Sequence, residues 1–250
     1  MLNTLSIGTW FNEFKDDLYM VFIENDRYKQ FILGFKNTLI ITAGALLIGI
    51  VIGVLVAAIR TSYDKNKESM KLHGGFGYQF LRILNGICKV YLTIVRGTPV
   101  VVQLFIAYFV IFASMDDGVD IGIIAFGINS GAYVAEIVRA GIMSIDDGQF
   151  EAGRSLGLNY LQTMRFIIIP QMFKAVLPTL CNEFIALLKE TSVAGYLGVV
   201  DLTKAGNIVA GRTFEYVIPL FFVALIYLLM VMLLTWLVGR LERRLRKSDR

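Results

Sequence analysis

The chain has 250 residues, 56% of them hydrophobic and 18% charged, with a net charge of +4 and a mean hydropathy of +0.64. Soluble domains carry about 45–50% apolar and about 25% charged residues, so these values exclude an ordinary soluble domain and point to lipid. The basic residues flank long apolar runs, which reads as membrane topology and excludes a nucleic-acid surface.

In chain order, the first 30 residues contain Glu13, Asp16, Asp17, Glu24 and Asp26 and lack the basic start and apolar core of a cleavable signal peptide. Trp10, Phe11, Phe14, Leu18 and Phe22 recur at helical spacing among these acids. Residues 1–30 therefore read as an external amphipathic segment at the membrane interface. The run 38–59 is uncharged. At about 33 Å as a helix it crosses the hydrocarbon, and Gly44, Gly49 and Gly53 offer surfaces for close helix packing. Further runs cover 83–113, interrupted by Lys89 and by Arg96-Gly97-Thr98-Pro99, then 121–143, 172–190 and 215–238. The expectation is an all-α integral membrane domain over 31–240 with five transmembrane helices, ending in a basic tail, 241–250.

Charge bias sets the orientation. The loop 60–82 carries Arg60, Lys65, Lys67, Lys71 and Arg82, whereas 114–120 carries only acids. The segment 139–174 and the tail are again basic. This places the N-terminus outside and the C-terminus in the cytoplasm of a multi-pass cell-membrane protein. His73 reads as a solvated loop residue, and Cys88 and Cys181 as buried thiols without ligand spacing, so neither metal nor cofactor is expected. No GxxxxGK[ST] phosphate loop is present, so the chain is not expected to be an enzyme.

Between the third and fourth spans lie Glu151-Ala152-Gly153, Gly157, Ile167 and Ile169-Pro170. Physically this is a short helix, a glycine break, a second helix and a proline stop on the cytoplasmic side. The register over 151–170 resembles the EAA loop of ATP-binding-cassette (ABC) importer permeases, with Gly153 and Ile169 as departures. Arg96-Gly97-Thr98-Pro99-Val100-Val101-Val102-Gln103-Leu104-Phe105 is similar to the polar amino-acid branch of that family. So are Asn129-Ser130-Gly131-Ala132-Tyr133, Ala135-Glu136-Ile137-Val138-Arg139, Asn182-Glu183-Phe184 and Leu188-Lys189-Glu190-Thr191-Ser192. The resemblance covers about 31–247; Thr93 and an extended 60–80 loop depart from it. It implies a type I importer permease fold and a coupling helix built on Glu151, Ala152, Gly153, Gly157 and Pro170. It also implies partners: a cytoplasmic ATPase dimer, a second permease subunit and an extracytoplasmic binding protein, with a polar amino acid as cargo.

Charges inside spans cost about 2.5–3.5 kcal/mol each and face a protein interior or water. Glu183 and Glu190, seven residues apart, share a helix face. They either pair with a base inside the bundle or meet the positive end of an amino acid. Asn129 and Ser130 are candidate substrate partners or interhelical hydrogen-bond formers. Arg96 and Thr98, at the Gly97–Pro99 break, either receive a substrate carboxylate or serve as anchor and kink. A carrier working alone predicts inverted repeats, which are not visible. A non-conducting scaffold and an importer of another small polar solute remain the rival readings.

Overall fold

The computed structural model describes residues 7–73 and 75–247; the side chains of 7–10, 66, 68–70, 72, 73, 246 and 247 lie outside the description. Trp10, His73 and Lys247, as side chains, and the tail from 248 onward are thus outside the described residues.

Among the described residues the fold is all-helical. Helix α1 (Ile7–Leu18) leads through a wide turn to α2 (Tyr28–His73), which is 46 residues long. The expected loop after residue 60 is not a loop: no glycine or proline occurs between Gly53 and Gly74, and the intervening polar residues are helix formers, so α2 continues. Helix α3 (Phe76–Gly97) follows, with Gly75 extended before its first residue. It meets α4 (Val100–Ile106) at 111°. Pro99 forces Thr98 out of the helical region, to φ −122° and ψ 149°. Helix α5 (Gly118–Met143) starts on Asp117, whose side chain accepts the Val119 N–H at 2.7 Å.

The short helices α6 (Asp147–Ser155) and α7 (Tyr160–Thr163) come next, then α8 (Ile169–Glu190). Pro170 is not a stop. The chain from Tyr160 runs unbroken through one wide π-turn, Met164–Ile168, into α8, and Pro170 sits in the first turn where its missing N–H costs nothing. The fourth span is therefore longer than 172–190, extending over Tyr160–Leu197. The segment 191–213, between the apolar runs 172–190 and 215–238, folds into a 3-10 turn, Thr191–Leu197, and α9 (Leu202–Thr213). Helix α10 (Val217–Lys247) closes the fold. Four helices are long and apolar enough to cross a membrane, and the bent α3–α4 pair makes a fifth.

Helix α5 is the axis of the bundle. Its face against α2 is built from small residues: a Cβ on Gly53 would stand 2.5 Å from Val134 Cγ1, and one on Gly127 2.7 Å from Ile48. Gly44 and Gly49 likewise abut Ile123 and Ser130. Backbones that approach this closely gain dispersion contacts which lipid tails cannot supply. On the outside, Leu225, Leu228, Leu229, Met232 and Leu233 of α10 are each at least half exposed, a lipid-facing row.

Near the Tyr28 end of α2, Asp201 is fully buried and caps α9, accepting the backbone N–H groups of Thr203 at 2.9 Å and Lys204 at 3.3 Å. Burial pushes its carboxyl up to about 6, and the two backbone donors oppose that shift. Thr38 Oγ1 accepts the Leu202 N–H, and Asn37 donates to the Val200 carbonyl. Phe22 packs with Phe31 and Phe222, so it joins the bundle, while Phe11 stays exposed on α1.

Candidate functional site

Three groups of polar side chains stand around α5. Their placement follows from its periodicity, since Asn129, Tyr133 and Glu136 fall on one face and Ser130 on the next.

In the first group, Ser130 Oγ donates to Glu183 Oε1 at 3.0 Å, joining α5 to α8. None of the ion pairs among the described residues involves Glu183 or Glu190. Glu190 lies on the exposed side of α8, as does its neighbour Lys189. Glu183 thus has a hydroxyl partner, and the cation that acts on Glu190 is its neighbour Lys189.

In the second group, Asn129 Nδ2 donates to Gln103 Oε1 at 2.9 Å, and Gln103 Nε2 donates to Thr98 Oγ1 at 2.8 Å. The same Nε2 reaches the Val95 carbonyl at 2.7 Å. That carbonyl belongs to the last turn of α3, whose acceptors lose their helical partners at the Thr98–Pro99 break. Gln103 is therefore the residue that ties Asn129 to Thr98. Its signal in the sequence was a lone amide in an otherwise apolar run.

The third group is ionic. Arg60 of α2 donates to Glu136 at 3.0 Å, Arg96 of α3 stands 4.0 Å from the same oxygen, and Arg139 reaches the other oxygen at 3.5 Å. Arg139 also meets Asp64 at 3.3 Å. The Arg96 guanidinium lies 5.7 Å from the centre of the Tyr133 ring. Arg60, Arg96, Tyr133 and Glu136 border a cavity of about 610 Å³ that is also lined by Lys89 and Thr93. Neither Arg60, Lys89 nor Glu136 stood among the residues singled out from sequence. Charged residues next to apolar runs look the same whether they anchor a helix or line a cavity.

The segment 146–171 is built differently. Asp146 caps α6 by accepting the Gly148 N–H at 2.6 Å. Gly153 is buried because a Cβ there would stand 2.6 Å from Thr163, so the short α6 lies directly on α7. Gly157 has φ +74°, the left-handed region that lets the chain reverse between the two helices. Asn159 and Gln162 then close a capping box on α7. The unit is pinned to the bundle at two points. Lys65 pairs with Asp147 and lies 4.6 Å from the Phe150 ring centre, and Gln171 donates to Gln149 at 3.1 Å. Glu151, Ala152, Leu156, Leu161 and Phe166 are exposed, and so is Pro170 beyond them.

This combination of a spanning bundle and a rigid two-helix projection has a counterpart among known proteins. The family described as binding-protein-dependent transport system inner membrane component matches residues 74–247. The chain belongs to this family. It is the permease subunit of an ABC importer. The permease is 36% identical over 204 residues to a putative glutamine transport system permease protein of Rickettsia felis, covering 80% of this chain and 86% of that one. It is 33% identical over 219 residues to the arginine transport system permease protein of Bacillus subtilis, covering 86% and 92%. The crystal structure of an amino acid ABC transporter with histidines superposes on the permease with a TM-score of 0.74 at 36% identity, covering 87% of this chain and 94% of that one. The permease therefore has the type I importer fold.

Proposed function

We propose that the permease forms one half of a transmembrane pathway for a polar amino acid and works as a dimer of permease subunits. A separate cytoplasmic ATPase dimer grips the α6–α7 projection, and a loaded binding protein docks at the opposite face. The observation that carries this reading is the projection itself. It is short, capped at both starts, closed on itself by Gly153–Thr163 and fixed to the bundle by Lys65–Asp147 and Gln171–Gln149. Yet it leaves Leu156 and Leu161 each 75% exposed. Exposed apolar side chains on a rigid polar loop suit a partner protein. The charge bias of the loops supports a cytoplasmic location for the projection, with the N-terminus outside and the C-terminus inside. ATP-driven closure of the ATPase shifts the population between outward- and inward-open states by moving this lever.

The cargo reading rests on relatives named for glutamine and arginine and on Glu183 and Glu190, which take part in none of the ion pairs among the described residues. These carboxylates meet the amino or basic end of the solute, with Ser130 orienting Glu183. Asn129 and Thr98, held by Gln103, offer neutral hydrogen-bonding groups at the helix break.

The test is uptake of labelled glutamine and arginine by proteoliposomes that hold the permease with its ATPase and binding protein. ATP-dependent uptake is expected. No uptake with all components present overturns the amino-acid reading, and uptake without the ATPase overturns the coupling. Replacing both carboxylates, Glu183→Gln with Glu190→Gln, is expected to change the arginine-to-glutamine preference by about tenfold, the scale of one charged hydrogen bond. An unchanged preference would remove these residues from the pathway.

A further inference from the structure

We propose that the cavity between α2, α3 and α5 is an oxyanion station, which takes the carboxylate of the amino acid as it leaves for the cytoplasm. This rests on the reading of the permease as an amino-acid pathway.

The first argument is charge. Arg60, Lys89, Arg96 and Arg139 gather around only two carboxylates, Glu136 and Asp64. Two positive charges are left over within helices that span the membrane, where each uncompensated charge is costly. The second argument is unspent donors. Arg60 Nε is buried without an acceptor. Lys89 has no ion-pair partner among the described residues, and Arg96 reaches its nearest carboxylate only at 4.0 Å. Of these donors Arg60 Nε is the buried one, and buried donors in folded proteins are nearly always satisfied, so an acceptor from outside this chain suits it. Lys89 and Arg96 are exposed toward the cavity and free to reach the same acceptor. The third argument is shape. A volume of about 610 Å³ falls within the range of small-molecule sites, about 300–1,000 Å³. Two guanidinium groups and one ammonium suit an oxyanion, because a guanidinium fork matches two oxygens and an ammonium adds a point charge.

The fourth argument is position. The α5 face that carries Asn129 at mid-span continues through Tyr133 to Glu136 at the cavity. Seven helical residues separate these two levels, about 10 Å. A zwitterion released from the Glu183 level thus moves from a region that holds its positive end to one that holds its negative end. A phospholipid phosphate from the inner leaflet has the same oxyanion chemistry and is the other source to be separated.

The experiment uses the complete permease–ATPase complex in nanodiscs, with labelled glutamine and arginine as probes. In phosphatidylcholine alone, Lys89→Gln is expected to weaken binding of the preferred amino acid about tenfold, and Lys89→Arg to restore it. Unchanged affinity in Lys89→Gln overturns the carboxylate assignment. If phosphatidylglycerol that co-purifies with the wild type is lost from that variant, counted by native mass spectrometry, the occupant is a lipid phosphate instead. If the wild type binds neither amino acid, the pathway reading fails on its own. The cavity is then judged with inorganic phosphate at constant ionic strength: thermal stabilisation of the wild type and not of Lys89→Gln supports the anion site, and equal response in both overturns it.

Discussion

Helix α5 is flanked by two helices that meet it in opposite ways. Against α2 the contact is glycine on β-branched side chains, with no room for an added carbon. Against α3 the contact is partial: Cys88, Leu92 and Val95 pack on Ala132 and Ala135, and beside them a charged cavity opens. The first contact is a fixed seam held by dispersion, which gains nothing from motion. The second is bordered by Arg60 and Arg96, which share one carboxylate oxygen of Glu136 in partly exposed ion pairs. The seam has no room for an added atom, and the cavity does.

The most severe way to break this contrast is to wedge the seam. Gly53→Leu places several atoms where Val134 already stands 2.5 Å from a bare Cβ. Overpacking of this kind costs about 1–3 kcal/mol or more. Loss of monodisperse protein, or a fall in Tm of several degrees in detergent, is expected, and a wild-type Tm would show that the seam yields. Next in size is Gly157→Pro. A φ of +74° is closed to proline, so the α6–α7 reversal is lost while the bundle, which does not depend on it, still inserts. ATPase co-purification and ATP-driven uptake are expected to fall to background in protein of normal abundance. Retained co-purification would show that the projection is not the grip.

The smallest effect belongs to Asp201. Its folded carboxyl lies near 6, above the unfolded value of 3.8. Between these values the folded chain holds a proton that the unfolded chain has released. Stability therefore rises as pH falls through about 6 and the gain is complete below about 4. Asparagine caps as well as aspartate, so Asp201→Asn should keep α9 and flatten this part of the pH profile. Thermal unfolding of both proteins between pH 4 and 7 reads the difference, expected to be a few degrees. Parallel profiles would place the titration elsewhere.

The spans were legible because an uncharged run such as 38–59 has one stable solution in lipid. The glycine faces of α2 were legible for the same reason, since small residues in a span have few uses. The extension of α2 to His73 was not, because polar helix formers outside the membrane look like a loop when read only for charge. Pro170 misled through its usual role. A proline ends a helix that it interrupts, but here a π-turn places it at a helix start. Helix α9 was hidden by its length, 12 residues, too short for a span and too small-residue-rich to show a face. At the candidate site, Ser130 with Glu183 followed from the cost of buried polarity. Gln103, Lys89 and Arg60 did not, because their meaning arises only when α4, α3 and α2 are brought together on α5.

The uninterrupted length of α2 has a mechanical consequence. Thr38 touches the Asp201 cap and Lys65 touches Asp147 at the foot of the projection. A single rod of 27 residues, about 40 Å, separates the two anchor points. With no glycine after Gly53 and no proline at any point along it, the rod has nowhere to hinge below the seam. A tilt of about 5° at one anchor swings the other by about 3.5 Å at this length, so a displacement at the Asp147 foot and one at the Asp201 cap are linked by rigid leverage.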